Sequence, residues 1–369
     1  MAAEPIAVPL PAPGPDLDAL LAALPDSPAV FLLTAAGGQP YLSRTAVLGR
    51  RVRRLLMADD KRRAALNLRG LVEHLSYWPT TSRLESSLVF YELAREHHPE
   101  NYLKLCNLRM PSYMRLLARN DFPRLQVTTR PTGRGLAFGP FRSRASAEEF
   151  EKATLDLFQV RRCQEDLQPS PEHPGCIYGE MAQCLRPCQA AVTRQEYASE
   201  VERLVEFLST EGRSLYTTVS CIRDSCSASM DFEEAARQHR RLEKIQSVWR
   251  SRDELATGAA SMNGVAVLKS MEPNAVTLLF LLDGAWLPPV VFSLQAADGK
   301  PVSLDRRLRE LLHALEPRLI AQAERAEHLA LLARWFYSSW RDGEWLSFPR
   351  RDDVAYRKLV NMVHRVSGV

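Results

Sequence analysis

Apolar runs and polar breaks divide the chain into short strands and amphipathic helices. Ala29-Val-Phe-Leu-Leu33 reads as a buried strand, Gly37-Gly38 as a turn, and Tyr41 as the start of a second strand, together a hairpin signal. Helix-compatible sequence follows from Val47 to Leu56 and again from Leu84 to His97, where Pro99 stops it. Asp121 to Val127 reads as a strand, Phe138-Gly-Pro-Phe141 as a turn, and Ala145 to Phe158 as a helix. Thr193 and Glu196 make a capping-box pattern, after which Tyr197, Val201, Leu204, Val205 and Leu208 recur at helical spacing. Gly212 marks a break. Leu215 to Val248 then predicts two amphipathic helices hinged near Ser229-Met-Asp-Phe232, and Arg252 to Ser261 a linker. Val265 to Leu268, Val276 to Leu282 and Val290 to Leu294 are β-rich runs separated by turn residues at Asn274 and Asp283-Gly284. From Leu304 onward the pattern is helical and aromatic. Trp335, Phe336, Tyr337 and Trp340 fall at helical spacing there, which favours core packing over nucleotide stacking. Met1 to Leu20 is rich in Pro and Ala and reads as a flexible leader. There is no internal repeat.

Composition adds bounds. The 369 residues suffice for two or three domains, and 46% hydrophobic with 25% charged residues is ordinary for a soluble globular protein. No apolar run approaches the roughly 18 residues that span a bilayer, so no membrane role is expected. The N-terminus lacks a secretion pattern, which leads to the expectation of a cytoplasmic chain with reduced thiols. The net charge of +4 says little, but its distribution says more. Between Arg44 and Arg69, basic residues (among them Arg50, Arg53, Arg54, Lys61, Arg62 and Arg63) far outnumber the acids Asp59 and Asp60. Such a block suits a phosphate backbone, although a solvated helix face has the same composition.

The strongest chemical signal is a group of cysteines. Cys163, Cys176, Cys184 and Cys188 fall in one stretch of a chain with only seven cysteines. Cys184-Leu-Arg-Pro-Cys188 sets two thiols four residues apart, a spacing that predicts one shared helical face. Four converging thiolates suit Zn²⁺ or an iron–sulfur cluster, and spacing alone leaves that choice even. The plain alternative is four unconnected buried thiols. Cys106, Cys221 and Cys226 have no evident partners and read as free thiols.

The order of these segments resembles UvrC, the nuclease subunit of bacterial excision repair. Leu24-Pro-Asp-Ser-Pro-Ala-Val-Phe31 looks like that family's opening strand, Tyr41-Leu-Ser-Arg44 like its second motif, and Leu48-Gly-Arg-Arg-Val-Arg53 like its basic helix. Phe138-Gly-Pro-Phe141, the cysteine spacing and Met230-Asp-Phe-Glu-Glu-Ala-Ala-Arg237 (similar to a UVR motif) follow in order. The resemblance implies a multidomain α+β chain. Residues 1–22 would be a leader, and 23–108 a degenerate GIY-YIG-like domain with a small mixed sheet. Residues 109–212 would be a linker carrying the four-cysteine segment, 213–250 a UVR helical hairpin, and 262–369 a β-rich then helical region, shorter at its C-terminus than the family's.

The resemblance also assigns roles. Tyr41 would help activate water, Arg51 would steady the scissile phosphate, and Arg44 would stand for the usual lysine. The four cysteines would hold a 4Fe-4S cluster in preference to Zn. Phe232, Ala235, Ala236 and Leu242 would form the apolar face that meets a UvrB-like helicase subunit. Three departures bear on cutting. Phe31 stands for the first motif's tyrosine and Ser43 for a glycine. Phe90 falls at the catalytic glutamate, and a phenyl ring cannot ligate Mg²⁺ or Mn²⁺. For the nuclease reading Glu92, the nearest carboxylate in sequence, would have to be the divalent-ion ligand, and it lies about 200° around a helix from Phe90. The readings are therefore an excision-repair nuclease, a DNA- and UvrB-binding adaptor that does not cut, and an iron–sulfur regulatory protein.

Overall fold

A computed structural model describes residues 4–57, 66, 68–118, 120–131, 135–295 and 303–368. In chain order the elements begin with β1 (Ile6–Pro9), α1 (Pro15–Ala23), β2 (Ala29–Thr34), β3 (Tyr41–Thr45), α2 (Leu48–Leu56), β4 (His74–Pro79), α3 (Arg83–His97) and α4 (Tyr102–Leu105). They continue with β5 (Ser112–Leu117), β6 (Arg124–Thr128), β7 (Ala137–Phe141), α5 (Arg144–Leu155), α6 (Ile177–Glu180), α7 (Arg194–Ser209), α8 (Arg213–Ala228), α9 (Phe232–Arg250) and β8 (Thr257–Gly258). The rest are β9 (Asn263–Lys269), β10 (Ala275–Leu282), β11 (Ala285–Trp286), β12 (Val290–Ser293), α10 (Leu304–Ala314), α11 (Gln322–Phe336), β13 (Gly343–Phe348) and α12 (Tyr356–Ser367). The fold is mixed α+β. Contacts divide it into one unit of Met1–Arg109, Asn263–Leu319 and Arg334–Val369, and a second of Met110–Met262 and Ile320–Ala333.

The first unit holds two antiparallel sheets. One has the order β1-β4-β2-β3. Its central strand β2 is buried along Ala29 to Leu33, as a continuous apolar run requires. Phe31 and Leu33 face a core built with Leu17 and Leu21 of α1 and Leu48, Val52 and Leu55 of α2. The expected flexible leader is therefore corrected. Ile6–Pro9 pairs with β4 at the sheet edge, where a proline removes no needed donor, and α1 begins at Pro15, whose fixed φ suits a first helical turn. The second sheet runs β11-β10-β9-β13, with β12 also on β10. All eight residues of β10 are buried. The turn from β10 to β11 uses Asp283 at φ 49° and Gly284 at φ 75°, the paired positive values of a tight hairpin. The helical reading of the C-terminal end also needs correction, because β13 pairs antiparallel with β9 between α11 and α12. In sequence, its Trp345 and Phe348 simply prolong the aromatic pattern of the helix before it. The aromatic positions of that helix do pack: Trp335 is 1% exposed and its Nε1 donates to Asp342 Oδ1 at 2.9 Å.

The second unit has the sheet β6-β5-β7-β8 with α5, α7 and the base of an α8–α9 hairpin packed around it. Phe138-Gly-Pro-Phe141 is strand β7, not a turn, and both phenylalanines are buried. Gly139 serves close approach here: at φ 152° a Cβ would come within 2.7 Å of the Tyr113 ring on β5. The stretch read as a linker contains β8, which pairs with β7. At the start of α7, Thr193 and Glu196 form both bonds of the capping box, Thr193 N to Glu196 Oε2 at 2.8 Å and Glu196 N to Thr193 Oγ1 at 3.2 Å.

Candidate functional site: a tyrosine–arginine pair, a four-cysteine loop and a hairpin tip

Strand alternation decides what the first unit can assemble. Tyr41 and Arg44 are three residues apart on β3, so their side chains leave opposite faces of the sheet. Tyr41 lies on the face of Phe31 and Leu33, with its ring centroid 6.2 Å from that of Phe31. There Arg51 Nη2 of α2 donates to Tyr41 Oη at 3.0 Å. The start of α2 is held for this by Leu48 N to Ser27 O at 3.0 Å and Gly49 N to Pro25 O at 3.1 Å, which satisfy two of the helix's orphan donors. With Val52, Leu55 and Leu56 buried, Arg50 and Arg54 point outward one turn apart. Arg53, expected to meet phosphate, is already engaged within the unit. Its Nε donates to Leu21 O at 3.0 Å and it clasps the C-terminal carbonyls of α1. Lys61, Arg62 and Arg63 lie outside the described residues.

Arg44 faces the other way, onto α3. Its Nη1 donates to Ser87 Oγ at 3.2 Å, and its guanidinium sits 5.5 Å from the centroid of the Phe90 ring. Burial lowers its pKa, and the Arg334 guanidinium lowers it further. The structure thus joins Tyr41 to Arg51 but separates Arg44 from both. The two carboxylates of α3 have other work. Glu85 accepts from Thr81 N at 2.8 Å and Thr81 Oγ1 at 3.1 Å at the helix start, and Glu92 lies 3.9 Å from Arg318. Phe90 is buried in the place where the resemblance expects a glutamate.

The cysteines occupy loops of the second unit between α5 and α7. Cys184 to Cys188 is not a helical face. Arg186 is left-handed at φ 57° ahead of a short 3-10 turn at Pro187–Gln189, and a residue before proline disfavours the right-handed helical region that a continuous face would need. Burial pushes the Cys184 thiol up to about 11; the Arg186 N–H opposes this, and Cys163, Cys176 and Cys188 add to it. The same neighbours Cys176 and Cys163 raise Cys188 after burial does. The four cysteines thus share one neighbourhood in the second unit. Among the described residues, no group of three or more His, Cys, Asp or Glu stands in a metal-holding arrangement as placed. The donor types are those a thiophilic centre uses, four thiols with the N–H of Arg186 on Cys184 and that of Gln189 on Cys188, but they are not gathered into one as placed. Arg161 was not singled out by sequence. Only 2% exposed, it donates to Phe122 O at 2.8 Å and Glu165 O at 2.7 Å, and its Nη1 lies 3.6 Å from Cys163 Sγ. Its guanidinium thus ties the Cys163 loop to the carbonyls around it. Only its adjacency to Cys163 hints at this in the sequence.

The α8–α9 hairpin divides by exposure. Its base places Leu215, Val219, Leu242, Ile245 and Val248 in the unit's own core. Leu242 is therefore removed from the expected partner face. Its tip exposes Ile222, Met230 at 77% and Phe232 at 67%, with Ala236 exposed and Ala235 half-buried behind them.

Comparison with known proteins points to one family. The family described as UvrC/Cho excinuclease, middle domain, matches residues 112–207, from β5 through most of α7 and including the cysteine loops. The chain is 27% identical over 362 residues to "UvrABC system protein C" of Moorella thermoacetica, covering 95% of this chain and 57% of that protein. The protein of the same name from Acetivibrio thermocellus is 23% identical over 361 residues, with the same coverage, and that from Desulfatibacillum aliphaticivorans is 26% identical over 275 residues, covering 73% of this chain and 45% of that protein. The chain thus spans little more than half the length of the first of these relatives. No solved structure matches it. Among the described residues, no helix is long and apolar enough to cross a membrane. With the middle domain on its cysteine-bearing unit and an alignment running along nearly its whole length, the chain is UvrC-like.

Proposed function

We propose that the chain acts in nucleotide excision repair as a UvrC-like subunit that docks on DNA and on a UvrB-like helicase subunit. The observation that carries the DNA part is the Tyr41–Arg51 pair, flanked by the outward Arg50 and Arg54 of α2. A guanidinium already aligned by a phenol hydroxyl suits a phosphate oxygen. Phosphodiester cutting by this domain would need a divalent ion held by a carboxylate near that pair. Phe90 offers none, Glu85 is spent on the start of α3, and Glu92 lies by Arg318. This favours docking over cutting.

The test is a binding and nicking assay on lesion-bearing duplex DNA with Mn²⁺, using protein purified without oxygen, with and without UvrB. Salt-dependent binding with no metal-dependent product is expected. Arg50→Gln with Arg54→Gln should lower the slope of log K against log salt by about 2. Nicking that disappears in Tyr41→Phe would instead make this site a working nuclease.

For the partner, the four cysteines would hold the loops of the second unit around a 4Fe-4S cluster, or Zn²⁺, and fix the base from which the hairpin projects. Such a group would supply folding free energy there. The hairpin tip would complete a four-helix arrangement with a similar hairpin. Phe232→Ala should weaken binding to UvrB by roughly tenfold or more, as an exposed aromatic anchor does, while leaving the unfolding midpoint of the free chain in place. An unchanged affinity would move the partner surface elsewhere.

A further inference from the structure

A cleft of about 600 Å³ opens in the first unit on the α3 side of the N-terminal sheet, the side opposite the Tyr41–Arg51 pair. Arg44, Arg83 and Arg334 line it, with Trp340, Thr80 and Asp342. The three guanidinium groups converge there with no described carboxylate in an ion pair with any of them. Arg83 lies over the Trp340 ring at 5.4 Å from its centroid, and Arg334 is steadied by Cys106 O at 2.8 Å. Arg44 and Arg334 stand close enough for the second to lower the first's pKa, a like-charge pressure that an anion would relieve. Asp342 offsets only one of the three charges, and its oxygens are occupied: it accepts from Arg83 N at 2.6 Å and from Trp335 Nε1 at 2.9 Å.

A second observation points to a ligand independently. Thr80 is 3% exposed, lines the cleft, and its hydroxyl has no partner. Buried hydroxyls are almost always satisfied, so one left open on the wall of a cationic cleft marks a place for a polar atom. Guanidinium forks match phosphate oxygens, and an indole face accepts a nucleobase. The volume is that of a small-molecule site.

We propose that this cleft binds a nucleotide monophosphate. The phosphate would lie among Arg44, Arg83 and Arg334 with the Thr80 hydroxyl donating to it, and the base would lie on Trp340. The shared chemistry is one phosphorylated nucleoside, whether free or at the end of a single DNA strand. The assignment does not depend on the docking surface of α2.

The test is equilibrium binding of dAMP, deoxyadenosine and a short single-stranded oligodeoxynucleotide with a 5′-phosphate to the full chain. Saturable binding of dAMP is expected, with deoxyadenosine weaker by roughly tenfold or more. Arg83→Gln and Thr80→Val should each weaken it by a similar factor. Arg83 is exposed at the start of α3, so its variant decides the matter if Thr80→Val does not fold. Arg50→Gln with Arg54→Gln should leave dAMP binding unchanged while weakening duplex binding, which separates failure of this site from failure of the docking surface. Binding of the oligodeoxynucleotide alone, lost in the same variants, would support the site with a strand end as its source. Binding of neither probe would overturn the proposal. So would binding indifferent to the phosphate or to both variants.

Discussion

Cys188→Ser protein, purified without oxygen, is expected to lose the metal proposed for the four-cysteine loops and with it the protease resistance of residues 159–192. Wild-type chain should carry about four irons if the centre is 4Fe-4S, or about one Zn²⁺ if it is a tetrahedral site. The argument rests on how little else orders that segment. Between α5 and α7 the backbone forms only the short α6 and a 3-10 turn, and Arg186 and Ala190 adopt left-handed conformations. Loops of this kind bury few apolar side chains to offset their conformational entropy. Four free thiols are a poor substitute, since Cys163 and Cys176 disfavour ionisation of Cys184 and Cys188. A metal reverses that balance by binding the thiolates, and its binding free energy then becomes folding free energy. Cys221→Ser, on the exposed face of α8, is the control and should keep full metal. Full metal in Cys188→Ser, or none in wild-type chain, would remove the centre from the account. DNA binding that persists unchanged in a metal-free variant would confine the metal to the second unit.

Phe150→Ala is expected to cost about 3–5 kcal/mol of stability in the second unit. Phe150 is 1% exposed and stands at the middle of an aromatic group. Its ring is stacked on Phe138 at 5.6 Å, tilted against Phe141 at 5.6 Å, and edge-on to Trp249 at 6.3 Å. Those three partners come from β7 and from the last turn of α9, so removing the ring leaves a cavity where helix and sheet meet. Urea unfolding followed by tryptophan fluorescence measures the loss, because Trp249 borders the cavity. A change below about 1 kcal/mol, typical of a surface site, would mean that this group does not hold the unit together. Phe232→Ala at the hairpin tip is the contrasting case, a phenylalanine whose removal leaves no cavity.

The sequence carries the parts of the fold in which pattern and environment coincide. β2, β3, α2, α3, α7 and the α8–α9 hairpin lie close to where apolar spacing and capping put them. The misreadings share a cause. Ile6–Pro9 and Phe138–Phe141 hold proline beside strand residues, and proline reads as a break unless the strand is known to be an edge or its partner to tolerate it. β13 is hidden because its pattern matters only against β9, far earlier in the chain. The site is legible in identity but not in grouping. Tyr41 and Arg51 pair by resemblance. Nothing local tells Arg50 from Arg53, which differ only in that α1's carbonyls lie within reach of one. Arg44, three residues from Tyr41, groups with it in sequence, whereas strand alternation puts it among Arg83, Arg334 and Trp340. Those residues come from distant stretches of chain, and no sequence window contains them together.

The discontinuity of the first unit has a consequence for the order in which the protein comes to exist. The ribosome releases Met1–Arg109, then the stretch that builds most of the second unit, and only afterwards Asn263–Leu319 and Arg334–Val369. The cysteine loops and the hairpin base can therefore close while much of the first unit is still unmade. Strand β9, buried from Gly264 to Leu268, must meanwhile wait with one edge uncovered until Gly343–Phe348 emerges. An apolar strand with an open edge is a template for pairing with another chain. Nascent chains stalled before residue 343 should therefore be the most aggregation-prone species in this protein's synthesis, and the strand that emerges near the end, which looks peripheral on the page, acts as the cover for that edge.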